Sequence, residues 1–186
     1  MHTSVTHKNI LKTRGFTLLE TLVAISILIV AITATFSAAQ SGLASAIEAR
    51  DQVVAFYLAQ EAVELVRNVR DENSLQGLPW LTGLSAIVSD SCYFGKSCVV
   101  DGITKSFTAC TSPTICPNLS QDTNTSSSQY GQYGYNSSWT PTAYNREIQL
   151  TQIGPDEITA TVIMTWTRGP FTKVFKVKES IFNWQQ

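Results

Sequence analysis

Gly15-Phe16-Thr17-Leu18-Leu19-Glu20-Thr21-Leu22-Val23-Ala24-Ile25-Ser26-Ile27-Leu28-Ile29-Val30-Ala31-Ile32-Thr33-Ala34-Thr35-Phe36-Ser37-Ala38-Ala39 decides how this 186-residue chain is organised. Glu20 is its single charged side chain, and no further charge follows until Glu48. A helix crosses the hydrocarbon core of a bilayer with about 20 residues. The hydroxyls of Ser26, Thr33 and Thr35 can bond back to carbonyls of the same helix, so they do not spoil an apolar span.

Working outward, the charges divide sharply. Lys8, Lys12 and Arg14 precede the stretch, and the next positive side chain is Arg50, an asymmetry that places residues 1–14 in the cytoplasm and the bulk of the chain outside. All acidic residues follow Gly15, so a chain starting at Phe16 carries 10 basic against 14 acidic residues, a net charge of −4. A mildly acidic surface argues against nucleic acid as the main partner, because binding phosphates needs positive charge. Both histidines, His2 and His7, also lie before the stretch. A chain beginning at Phe16 therefore has no imidazole for Ser-His-Asp or Cys-His catalysis or for a histidine metal site. No enzyme activity, no cofactor and no metal are expected.

Glu20 is the exception that needs a reason. An ionised carboxylate in a membrane helix costs up to about 2.5–3.5 kcal/mol at full depth, so such a residue usually has a partner. The short basic leader followed by Gly15-Phe16-Thr17-Leu18-Leu19-Glu20 resembles the prepilin cleavage and methylation motif of type IV pilins and type II secretion pseudopilins. The resemblance implies that a prepilin peptidase cuts between Gly15 and Phe16 and that the new amine of Phe16 is N-methylated. It also implies that Glu20 pairs with the N-terminal amine of a neighbouring subunit, cancelling two charges among apolar helices and setting subunit registry. Major pilins often carry a proline within the apolar helix; the first proline here is Pro79, which favours a minor pilin or a pseudopilin. The competing readings are a secretory signal peptide cut after Ser37-Ala38-Ala39, which has no use for a glutamate, and a plain uncleaved anchor.

Beyond the span, Ile47, Val54, Leu58, Leu65 and Val69 recur at helical spacing. The opposite face is expected to carry Arg50, Asp51, Glu61, Glu64 and Arg67. Glu61 and Glu64 could be taken for paired catalytic carboxylates, but a charged outer helix face is the better reading. The helix is expected from about Phe16 to Asn73, with breakers at Asn73-Ser74 and Gly77-Leu78-Pro79. Trp80 and Leu84 should fold back on it.

Cys92, Cys98, Cys110 and Cys116 form two C-x5-C pairs outside the membrane, where disulfides persist. Four cysteines allow three connectivities; short-loop closure favours Cys92 with Cys98 and Cys110 with Cys116, without proving it. The rival is a four-cysteine zinc site, for which C-x2-C would be the usual spacing. Residues 120–143 are nearly uncharged and rich in Ser, Thr, Asn, Gln, Tyr and Gly. They read as a long exposed loop, either a contact surface bearing Tyr130, Tyr133, Tyr135 and Trp139 or a solvated connection. Asp122-Thr123-Asn124-Thr125-Ser126 begins like a calcium loop but lacks the glycine and glutamate of the EF-hand.

The end of the chain alternates. Ile148 and Leu150, then Ile158, Ala160, Val162, Met164 and Trp166, mark one buried face, with turns at Gly154-Pro155-Asp156 and Arg168-Gly169-Pro170 and a return strand from Val174 to Phe182. Lys173, Lys176 and Lys178, beside Arg168 and Phe175, read as edge-strand protection rather than a DNA contact.

The expected fold is therefore α+β and pilin-like, one long N-terminal helix packed on a C-terminal antiparallel sheet. Its segments are a leader (1–15), a transmembrane helix (16–40), its amphipathic continuation (41–76), a loop-rich region with four cysteines (77–145) and a β-meander (146–186). The expected function is structural, a minor pilin or pseudopilin of a type IV pilus or type II secretion filament. Its partners would be other pilin subunits, prepilin peptidase, the inner-membrane assembly platform and, before assembly, lipid. The alternative is a tip or binding subunit of an adhesive or DNA-uptake pilus.

Overall fold

A computed structural model describes residues 15–111 and 115–184; the leader residues 1–14, with His2, His7, Lys8, Lys12 and Arg14, lie outside the described residues. Among the described residues one helix, α1, runs Leu18–Leu75 and is followed by seven strands: β1 (Ser97–Val100), β2 (Phe107–Ala109), β3 (Asn118–Gln121), β4 (Tyr133–Gly134), β5 (Thr140–Gly154), β6 (Glu157–Arg168) and β7 (Phe171–Phe182). The chain divides into two units, residues 1–49 and 50–186.

In the first unit, α1 is apolar and exposed all round, with no buried residue as far as Ala49. It is the one helix among the described residues long and apolar enough to cross a membrane. A helix apolar on every side has no single face to turn to water, so it requires lipid or other helices around it.

In the second unit α1 becomes one-sided. Asp51, Ala55, Leu58, Ala59, Ala62, Leu65, Val66 and Asn73 are buried, at the three- and four-residue spacing of one helix face. The small side chains of Ala55, Ala59 and Ala62, fully buried, let the helix backbone come close to the sheet. The helix stops in a Schellman arrangement: Leu78 N–H donates to Asn73 O (2.9 Å), Gly77 N–H to Ser74 O (3.2 Å), and Gly77 takes φ 67°. That left-handed conformation is cheap only for glycine. Asn73 then holds the connector, donating through Nδ2 to Trp80 O (3.2 Å) and Thr82 O (2.9 Å). Leu84 is fully buried and Trp80 packs against the same core, as their position after the helix stop suggests.

The sheet is antiparallel throughout and centred on β5. One edge of β5 pairs with β6 along its length, from Tyr144–Trp166 to Gly154–Glu157, and β6 pairs in turn with β7. The other edge carries two short ribbons end to end, β1–β2 at Ser97–Gln149 and Cys98–Ile148, and β3–β4 from Asn118–Asn145 to Gln121–Thr140. The alternation in β6 is realised residue by residue, with Ile158, Ala160, Val162, Met164 and Trp166 buried. Each large apolar side chain taken fully out of water contributes about 1.5–3 kcal/mol, and the face of α1 between Ala55 and Val66 covers this row. The architecture is α+β, one long N-terminal helix packed on an antiparallel sheet.

Two expectations need correction. The segment from Ser120 to Ala143 is not one long loop: it contains the end of β3, the whole of β4 and the start of β5, and Tyr133 and Tyr135 pack against the core. The polar face of α1 is also narrower than its charges suggest. Asp51 is buried and Glu61 is half-buried, because both answer cations on the sheet.

Candidate functional site

The N-terminal site is built from local helix chemistry. Gly15, Phe16 and Thr17 are non-helical and α1 begins at Leu18. Thr17 is the N-cap: its Oγ1 accepts the Glu20 N–H at 3.3 Å and its carbonyl accepts the Thr21 N–H at 3.2 Å. Glu20 therefore sits in the first turn, where the partial positive charge of the helix N-terminus favours a carboxylate. Thr17-Leu18-Leu19-Glu20 also has the spacing of a capping box. Three hydroxyls of the span that follows bond within the helix. Ser26 Oγ donates to Leu22 O at 2.8 Å, Thr33 Oγ1 to Ile29 O at 2.9 Å and Thr35 Oγ1 to Ala31 O at 3.1 Å. Glu20 is left as the single ionisable side chain on a surface of exposed Leu, Ile and Val from Leu18 to Leu43.

The head holds two charged arrangements that the charge pattern of α1 did not suggest. Arg146 is fully buried on the inner face of β5, two residues before Ile148. Its Nη1 donates to Leu58 O (3.0 Å) and Glu61 Oε2 (2.5 Å) and its Nη2 to Val100 O (2.6 Å), while Nε has no partner among the described residues. Gly102 lies directly against the Glu61 carboxylate, so close that a Cβ there would collide with it. The second is Asp51, which accepts from Arg168 Nε (2.5 Å) and Tyr144 Oη (3.3 Å). Burial first, and Asp51 second, push the Tyr144 phenol up to about 12. Tyr133 and Tyr135 are also raised, in both cases chiefly by burial. Held protonated near neutral pH, these phenols are poor bases. The signal for Arg146 was legible: in the alternation Arg146-x-Ile148-x-Leu150 an arginine occupies an inward position, and an inward cation demands an anion from the element packed over it.

A groove of about 630 Å³ is lined by Val54, Tyr57, Leu58, Glu61, Gly102, Ile103, Gln132 and Tyr133. It offers no nucleophile beside a base, and its one carboxylate is committed to Arg146. Among the described residues no group of three or more His, Cys, Asp or Glu side chains is placed to hold a metal. The four cysteines lie in two pairs at disulfide distance, Cys92–Cys98 with Cα atoms 5.1 Å apart and Cys110–Cys116 with Cα atoms 4.7 Å apart. The suggested lysine cluster does not form one patch. Lys176 and Lys178 share one face of the edge strand β7, and strand alternation sends Lys173 to the other.

A search of curated proteins and a search of solved structures each returned no match. Residues 10–36 match the family model described as the prokaryotic N-terminal methylation motif, and that motif, leading into one long apolar helix packed beyond it on an antiparallel sheet, is consistent with a type IV pilin-like protein.

Proposed function

We propose that the chain is a minor pilin or pseudopilin, a structural subunit made as a precursor, cut between Gly15 and Phe16 by a prepilin peptidase, and N-methylated on Phe16. The observation that carries this is Glu20: one carboxylate in the first turn of α1, followed by an apolar stretch without charge as far as Ile47, inside the methylation motif. A secretory signal has no use for it, whereas a filament of packed helices does. Cleavage creates an amine at Phe16, and a Glu20 carboxylate on a neighbouring subunit neutralises it, which removes two isolated charges from an apolar interior and fixes one subunit against the next.

In this reading residues 1–14 stay in the cytoplasm, the span holds the precursor in the membrane, and the head lies outside until the span exchanges lipid for the helices of other subunits. The paired cysteines fit an oxidising compartment on that side. The test is intact-mass and peptide mass spectrometry of the protein recovered from membranes. A mature N-terminus at methylated Phe16 is the expected result, and an N-terminus at Gln40 would identify a secretory signal instead. Replacing Glu20 by Gln should leave the precursor cut at the same bond while filament incorporation falls sharply; incorporation at the wild-type level would remove the registry role.

A further inference from the structure

The helix start and the proposed cut are two residues apart, and one side chain fixes their separation. Thr17 closes the first turn with both its hydroxyl and its carbonyl, so helical geometry begins at Leu18 and the Gly15–Phe16 peptide stays outside it. A peptidase acts on that peptide by adding water: the Gly15 C–N bond breaks, a C–O bond forms, Gly15 leaves as a carboxylate and the Phe16 nitrogen takes up a proton as an amine. The attack needs the Gly15 carbonyl carbon open on one face. Were α1 extended one turn upstream, the Gly15 carbonyl would accept the Leu19 N–H and be enclosed in the turn.

Resting on the processing reading, we propose that Thr17 is a positioning residue for the cut: by capping α1 it holds the Gly15–Phe16 peptide in a non-helical form that the peptidase can engage. Without the cap, residue 17 and then Phe16 are free to join the helix, since the apolar sequence downstream already sustains it. The threonine acts through the backbone rather than on the reacting atoms, so its requirement is for a side-chain acceptor and not for threonine itself. Serine and asparagine supply that acceptor; valine keeps the shape and β-branching of threonine without it.

The test uses the full-length precursor in detergent or native membranes with a prepilin peptidase, following the initial rate of cleavage and the position of the cut. Thr17→Val should lower kcat/KM by roughly fivefold, the factor equivalent to the usual ~1 kcal/mol worth of an N-cap side chain. Thr17→Ser and Thr17→Asn should stay close to the wild-type rate. Amide exchange in the uncut precursor supplies a readout free of the peptidase: the Glu20 amide, which donates to Thr17 Oγ1, should exchange faster in Thr17→Val alone. A valine variant cut at the wild-type rate overturns the proposal, and so does slow cleavage of all three variants, which would mean that the peptidase contacts the threonine side chain itself, hydroxyl and methyl together. Wild-type precursor left uncut at Gly15–Phe16 would defeat the processing reading itself and take this inference with it.

Discussion

Replacing Glu61 by alanine should damage the head far more than replacing Glu64, although the two are one helical turn apart. Arg146 is fully buried, and among the described residues Glu61 is the one charged group that bonds to it, beside the carbonyls of Leu58 and Val100. Removing one partner of a buried pair strands the other charge and costs about 3–5 kcal/mol. The Glu61 side chain is 40% exposed, so water can partly replace it and the lower figure applies. For a head of this size, about 3 kcal/mol corresponds to a fall in Tm of roughly 10 °C. Glu64, 59% exposed and paired with Arg67, should cost no more than about 1 kcal/mol. The assay is thermal and urea unfolding of the full chain in detergent, followed by tryptophan fluorescence. A double replacement, Glu61→Leu with Arg146→Met, removes both charges and should lose less than Glu61→Ala alone. Equal losses for Glu61→Ala and Glu64→Ala would refute the assignment of Arg146 as a buried charge that depends on Glu61.

Gly102→Ala sets a methyl against the Glu61 carboxylate and should cost about 1–3 kcal/mol; in a Glu61→Ala background the same change should cost much less, a coupling that a double-mutant cycle reads directly. Serine at both Cys92 and Cys98 should lower stability by about 2 kcal/mol, in keeping with the short loop this pair closes. Tyr144 binds its proton more tightly folded than unfolded, so its contribution is complete below the ordinary phenol value near 10 and is lost as pH rises to about 12. Unfolding measured across that window should show a steeper fall for wild type than for Tyr144→Phe. Gly77→Ala, forced to φ 67°, should cost about 1 kcal/mol by chemical denaturation and leave the core intact.

What could be read ahead of the structure follows from the range of the forces involved. The apolar span and the alternation of β6 are set by neighbours in sequence and by burial, so both were visible in the order of residues. The short strands β3 and β4 were not. Apart from the buried Leu119 they offer no apolar alternation, their pairing is imposed by β5, where Ser120 lies opposite Pro141 and Gln121 opposite Thr140, and nothing local distinguishes them from loop. The charged face of α1 misled for the same reason. Helical spacing assigns Asp51 and Glu61 to an outer face, but Arg168 and Arg146, more than eighty residues later in the chain, draw them inward.

The two units resolve their charges by different means, and that difference bears on what each is for. Among the described residues of the head, the buried charges are answered on the same chain: Asp51 by Arg168 and Tyr144, Arg146 by Glu61, and Asp122 by the Asn124 N–H. Those pairings close within one copy, and closure of that kind fixes a fold. In the N-terminal part of α1 the hydroxyls of Ser26, Thr33 and Thr35 are likewise satisfied by their own backbone, yet among the described residues Glu20 is offered only the helix terminus. A terminus stabilises a carboxylate by about 0.3–1 kcal/mol at an exposed site, well short of the roughly 2.5–3.5 kcal/mol that an ionised group costs deep in hydrocarbon. The deficit is what a cation supplied from outside the helix would remove. Supplying an equivalent cation within the same chain, for instance by Ala24→Lys, one turn on and on the same helix face, should therefore leave the head's unfolding unchanged while reducing filament incorporation of the full chain; undiminished incorporation would show that the unmet charge on Glu20 does not drive assembly.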